Sequence, residues 1–466
     1  MVESLPLPPR RRYGVLVAIG SCSFMAALDG SIVNTIMPIL SRDFGAPLHA
    51  VQWVSTTFLL VVAGLMLTFG RMGDIYGHKR VYQSGFGLFV LASGLCGLAG
   101  SLPALVAARG LQAVGSAMIL SNSPAILTKS FPPEQRGQAL GMQASMTYLG
   151  LTLGPSLGGF LAQTFSWRAV FLVNLPVGAA AWTLGWALVP RDAAPSKPER
   201  FDLPGAALYV VAMVALLLAL AQGHEWGWGA PPTVALLAGA GAFLASFLWR
   251  ESRAAAPMLD LGLFRSRVFA GSVGAAVTNY LCVTVVSFML PFYLIQSRGL
   301  PPARAGLLLS AQPIVMAVVA PLAGTLSDRI GTRVPTALGM ALLGLGLAGL
   351  STVDAATPLA HIGWLLTVVG LGTGIFIAPN NSALMGAAPR GRQGVAAATL
   401  ATARQTGMML GVAQSGAVFS TVAARAANAG LADASYRGVE AAFVAGVVVA
   451  ALGVLASALR GDAARP

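Results

Sequence analysis

Charged residues in this sequence gather in short clusters. The stretches between them run about 18–27 residues with almost no charge, enough for each to cross a hydrocarbon core of ~30 Å as a helix. One reads LPGAALYVVAMVALLLALA, from Leu203. Only 10% of the 466 residues are charged and 56% are hydrophobic, with a mean hydropathy of +0.74. A soluble domain carries about 25% charged residues, so this chain has too little polar surface to face water. It reads as an all-α polytopic membrane protein.

Fourteen spans are expected, near residues 14–38, 49–70, 81–100, 102–127, 138–162, 168–189, 203–222, 232–249, 269–295, 304–326, 334–351, 359–384, 394–422 and 440–459. The first is expected to be a span rather than a cleaved leader, because it is too long, contains Asp29 and lacks a small-residue cleavage site. With the amino terminus inside, 21 of the 29 Lys and Arg residues fall in inner segments and 6 in outer ones. The positive-inside rule then places both termini in the cytoplasm. The net charge of +13 is a topology signal, and no nucleic-acid partner is expected. Cys22, Cys96 and Cys282 lie within spans at no metal-binding spacing and read as core residues. There is no phosphate-binding loop sequence either. Neither a cofactor nor an enzyme activity is expected, and transport has to draw on an ion gradient.

The chain is internally duplicated. GRMGDIYGHKR, Gly70 to Arg80, matches GTLSDRIGTR, Gly324 to Arg333, at an offset of 254 residues, and GSAMILSNSPAIL from Gly115 matches GTGIFIAPNNSAL from Gly372 at 257. Such parallel repeats typify transporters. The offset leaves room for eight spans between the two loops. Two six-helix bundles, spans 1–6 and 9–14, are therefore expected with two inserted helices between them. The domains are read as 1–190, a linker and inserted pair at 191–267, and 268–466. RESRAAAPMLDLGLFRSR, Arg250 to Arg267, is either a surface amphipathic segment or a solvated loop.

These motifs resemble the major facilitator superfamily, and within it the fourteen-span drug:proton antiporters. GRMGDIYGHKR resembles the loop between helices two and three. RGLQAVGSA from Arg109 resembles the fourth-helix motif, with Ala113 where a glycine is usual. GLTLGPSLGG, Gly150 to Gly159, is similar to the fifth-helix motif of exporters. LDGSIVNTIMP from Leu28 and WRAVFLVNLPVG from Trp167 resemble the first and sixth helices of the fourteen-span exporters, while Phe58 stands where a tyrosine is common. The resemblance implies a cavity between two bundles, lined by helices one and four. It also implies cytoplasmic latches that hold the outward-facing state.

Asp29 is the one acid expected well within the membrane, and an ionised carboxylate there costs roughly 2.5–3.5 kcal/mol. Counted along the helices, Asp29 lies roughly 14 Å and Arg109 roughly 10 Å from the outer end, so the two are expected to interact. Burial favours the neutral acid and a guanidinium favours the charged one. Asp29 then either exchanges a proton and a cationic substrate, with Arg109 in a coupling role, or the pair only fixes packing. Gly70, Asp74, Gly77, Arg80, Arg136, Asp328 and Arg333 are expected at the latches, with Asp74 paired to an arginine or placed at a helix amino terminus. Gly150, Gly154, Pro155, Gly158 and Gly159 suggest a tight seam, against proton leakage or for packing alone. Substrate contacts are expected among Asp29, Asn34, Trp53, Phe58, Asn122, Tyr148, Asn279, Phe288, Gln312, Phe376, Asn380, Arg404 and Gln405.

The expected function is proton-driven export of lipophilic or cationic small molecules from a monomer in the cytoplasmic membrane, among membrane lipids. A dedicated exporter of one metabolite is the first alternative, and a sensor or channel without coupled transport the second.

Overall fold

The computed structural model describes residues 8–46, 48–190, 192, 201–254, 257–259, 261–389, 392–428 and 434–461. Within helices, the side chains of Asn34 and Pro155 lie outside that description, as does most of the Arg191–Asp202 linker. The first helices are α1 (Pro9–Phe44), α2 (Leu48–Tyr76), α3 (His78–Gly97), α4 (Leu102–Ser130), α5 (Arg136–Thr164), α6 (Trp167–Leu172) and α7 (Asn174–Leu188). Then come α8 (Leu203–Trp226) and α9 (Pro231–Glu251). The last are α10 (Arg267–Phe292), α11 (Pro302–Leu309), α12 (Ala311–Ile330), α13 (Arg333–Leu350), α14 (Leu359–Ala387), α15 (Gln393–Asn428) and α16 (Ala434–Leu459).

Twelve helical stretches among the described residues are long and apolar enough to cross a membrane. The expected count of fourteen differs by α3 and α5. Both are helical, of 20 and 29 residues, but HKRVYQS opens the first and glycine dilutes the second, so neither is among the twelve. Two expected spans are interrupted. The sixth breaks at Val173, between α6 and α7, where Pro176 has no N–H to give Leu172. The tenth breaks at Ser310, between α11 and α12.

Two compact units emerge. One contains residues 1–214, 240–262 and 388–402, and the other 215–239, 263–387 and 403–466. In the first unit α1 packs on α5, α3 on α4, and α2 on α4; in the second α13 packs on α14 and α16, and α12 on α14. The duplication is visible as repeated backbone devices. Gly77 alone joins α2 to α3 with φ +100°, and Gly331 follows α12 with φ +91°, a region that L side chains rarely enter. The α3–α4 and α13–α14 crossings are equally matched. A Cβ on Gly115 would lie 2.6 Å from the Gly85 carbonyl oxygen, and one on Gly372 would lie 2.7 Å from that of Gly339.

Within the first unit, Asp202 starts α8 by accepting the Gly205 N–H at 3.1 Å and takes a bidentate grip from Arg250 of α9, Nε–Oδ2 2.9 Å and NH2–Oδ1 2.8 Å. The Arg250 hydrogen bonds hold the Asp202 carboxyl below the ordinary aspartate value. Tyr209 of α8 reaches Thr402 of α15 at 3.0 Å, oxygen to oxygen.

Candidate functional site

Five chain segments converge on Asp29. Arg109 of α4 donates from NH1 to Asp29 Oδ2 at 2.5 Å and to Gln112 Oε1 at 2.6 Å. Gln112 Nε2 donates to Asp29 Oδ1 at 3.0 Å and to Ser93 Oγ of α3 at 2.7 Å. Asn174, the first residue of α7, donates to Asp29 Oδ1 at 2.9 Å. Arg109 Nε faces the Val54 carbonyl of α2 at 3.4 Å, and its guanidinium lies 4.2 Å from the Phe58 ring centre and 5.8 Å from that of Phe171. Asp29 is 0% exposed and Arg109 1%.

The local sequence explains the assembly. Arg109 and Gln112 are three residues apart on α4 and so share a face. The break at Val173 starts a new helix at Asn174, whose amide points at the carboxylate. Leu28, Ile32 and Val33 pack with Val170 and Phe171, keeping water from the network. The charge on Asp29 is balanced by one guanidinium and two amides, the arrangement that makes a buried ion pair tolerable. Sequence reasoning identified Asp29, Arg109 and Phe58 but missed Ser93, Gln112, Asn174 and Phe171. The three-residue spacing from Arg109 was the available signal for Gln112, and the proline two residues on was the signal for Asn174.

The glycine strip of α5 borders the same site. Ser31 of α1 donates to the Leu28 carbonyl at 3.1 Å and approaches the Gly150 carbonyl at 3.4 Å. A Cβ on Gly150 would run into the Phe24 carbonyl, one on Gly154 into Ser31, and one on Gly158 would lie 2.5 Å from Ile32 Cγ1. A Cβ on Gly159 would meet nothing within 4 Å. Three of the four glycines therefore form the α1–α5 seam, and Gly159 stands outside it.

A second cluster lies at the α2–α3 turn. Asp74 accepts the backbone N–H groups of Gly394 and Val395, at 2.8 and 2.9 Å, capping the start of α15. His78 Nε2 is 3.3 Å from Asp74 Oδ1, and His78 Nδ1 is 2.8 Å from Asn122 Oδ1. Asn122 also donates to the carbonyls of Phe69 and Met118, at 3.2 and 2.9 Å. A side chain at Gly70 would collide with Ala398, so α2 and α15 approach backbone to backbone. Of the two arrangements expected for Asp74, the helix terminus is the one found. Arg80 is exposed, and Arg136 donates to the Thr128 carbonyl at 3.2 Å. Asn122 thus supports this turn and makes no contact with Asp29.

The remaining expected residues are dispersed. Trp53 is half-buried on α2 and Tyr148 buried on α5, both in the first unit. In the second unit, Asn279, Gln312, Phe376 and Gln405 are buried and Phe288 is 42% exposed. Asn380 accepts from Arg460 at 2.7 Å in a knot that also ties Arg460 to Ser272, Thr332 and Thr336. Arg404, on α15, lies 5.9 Å from the Tyr280 ring. Asp328 and Arg333 flank the α12–α13 turn. Among the described residues, no group of three or more His, Cys, Asp or Glu is arranged to hold a metal.

Comparison with known proteins agrees with this architecture. The Riboflavin transporter RibZ of Clostridioides difficile is 34% identical over 87% of this chain and 87% of its own length. The Multidrug resistance protein Stp of Mycobacterium tuberculosis is 34% identical over 88% of this chain and 76% of its own length. The crystal structure of the human organic anion transporter MFSD10 has a similar fold, with a TM-score of 0.68 at 16% identity over 97% of this chain and all of that one. The family model described as Major Facilitator Superfamily matches residues 19–412, and the chain belongs to that family of membrane transporters.

Proposed function

We propose that the protein is a proton-coupled antiporter that exports lipophilic drugs or toxic compounds across the cytoplasmic membrane by alternating access. The observation that carries this reading is the buried Asp29–Arg109 pair. Arg109 NH1 already serves two acceptors, Asp29 Oδ2 and Gln112 Oε1. If Asp29 takes up a proton, the guanidinium keeps a partner, and no buried cation is stranded. That lowers the cost of cycling between the two charge states. A direct contact between Asp29 and a cationic substrate is not available in this conformation, because both carboxylate oxygens are bonded within the protein.

In this reading α3 and α5 also cross the bilayer, giving fourteen spans, both termini face the cytoplasm, and the monomer divides near residues 190 and 267. The α1–α5 glycine seam limits proton leakage beside Asp29, and Asp74 latches the start of α15. Similarity to a multidrug resistance protein supports drugs as the compounds handled. A second reading, transport of one compound, is favoured by the similarity to a riboflavin transporter.

The test uses proteoliposomes with a proton-sensitive dye. Ethidium, tetramethylrhodamine methyl ester and carboxyfluorescein are added in turn. At least one should start proton movement with the unaltered protein and none with Asp29→Asn. Full proton movement by a well-folded Asp29→Asn protein defeats the coupling scheme. Complete block of every dye by low concentrations of riboflavin favours the second reading.

A further inference from the structure

The two units treat mid-membrane charge differently. In the first unit the carboxylate and the guanidinium neutralise each other, and Asp29 exposes no surface. In the second unit Arg404 is eleven residues into α15, roughly 16 Å along the helix, and no acidic residue among those described lies within ion-pair distance of it. Its Nε is shut off from solvent and has no hydrogen-bond partner among the described residues. Its nearest aromatic face is the Tyr280 ring, with the guanidinium carbon 5.9 Å from the ring centre. The ring is placed there by backbone approach: a Cβ on Gly407 would lie 2.5 Å from the Val277 carbonyl oxygen and 3.1 Å from Tyr280 Cβ.

A guanidinium at this depth is costly unless something answers its charge. Arg404 is half-buried, so its planar fork of donors is open on one side and suits a carboxylate or phenolate. We propose that Arg404, with Tyr280 beside it, binds the acidic group of a lipophilic, ring-bearing substrate, so that the preferred substrates are anions rather than cations. This rests on the reading of the protein as an exporter, and it replaces the cation expected from Asp29 with an acid read by α15.

The test is equilibrium binding to the full-length protein in phosphatidylcholine nanodiscs, without a pH gradient. The probes are carboxyfluorescein and tetramethylrhodamine methyl ester, xanthene dyes of opposite charge. The unaltered protein should bind carboxyfluorescein more tightly. Arg404→Gln should weaken that binding by about tenfold or more, the effect of losing a charge-assisted hydrogen bond, and leave the cationic dye within about twofold. Arg404→Lys keeps the charge without the fork and should fall between; it also serves if the glutamine variant does not fold. Unchanged carboxyfluorescein binding in both variants overturns the proposal, as does tighter binding of the cationic dye by the unaltered protein. Loss of carboxyfluorescein binding when phosphatidylglycerol is added assigns Arg404 to lipid headgroups and also overturns it. Because no gradient is present, failure of proton coupling leaves this result untouched, and the reverse holds.

Discussion

The first unit holds its mid-membrane charges as a matched pair enclosed by five chain segments, whereas the second holds one guanidinium with an open side. Their backbones are nonetheless repeats of one design. Gly77 and Gly331 both take positive φ at the matching turn, and Gly115 and Gly372 sit at the matching helix crossing. The difference teaches which features a duplication keeps. A turn that side chains other than glycine rarely enter, or a crossing with no room for a Cβ, is fixed by steric limits that both copies share. Charge is fixed by its partners, and those have diverged.

The largest effect should come from separating the matched pair. Arg109→Ala leaves Asp29 buried without its counter-charge and should destabilise the protein by about 3–5 kcal/mol, read as thermal unfolding in detergent. Arg404→Ala should change stability by less than about 1 kcal/mol, because no acidic residue among those described pairs with it. Equal losses at the two positions break the contrast between the units.

Next in size is the α1–α5 seam. Gly154→Leu drives a side chain into Ser31 and Ile32 and should cost about 1–3 kcal/mol or more. Gly159→Leu, which meets open space, should be near neutral. A Gly159 variant as damaged as the Gly154 variant would dissolve the distinction drawn along this strip.

Smaller effects are expected at the helix ends. Asp74→Asn weakens two backbone caps at the start of α15 and should cost about 1 kcal/mol, with transport falling while dye binding persists. Unchanged transport removes the latch. The smallest concerns Asp202. Its carboxyl titrates below the ordinary 3.8 because Arg250 holds the charged form. The stability it contributes is therefore full above the ordinary value and is lost as pH falls through the lowered one. The thermal midpoint should drop on acidification below pH ~4, and Asp202→Asn should remove that part of the drop.

The sequence carried the all-helical membrane fold, because hydropathy and repeated motifs are written along the chain, but its count of fourteen spans exceeds the twelve found among the described residues. It also carried Asp29 and Arg109, since a charge in an apolar span stands out and helix rise fixes its depth. Gln112, Asn174 and Ser93 are neutral residues of a common kind, and only tertiary packing distinguishes them from other polar residues in spans. Asp74 meets Gly394 across 320 positions of sequence, a partner that no local pattern announces. Gly159 shows the opposite limit: it adjoins Gly158 in sequence, but the helical turn points the two in different directions.

A joint of one residue has no slack. Gly77 is all that separates the last residue of α2 from the first of α3, and Asp74, one turn earlier, grips the opening of α15. Any shift of that opening must therefore either snap two N–H···carboxylate links or drag both neighbouring rods with it. In the proposed latch the corner acts as a lever rather than a hinge.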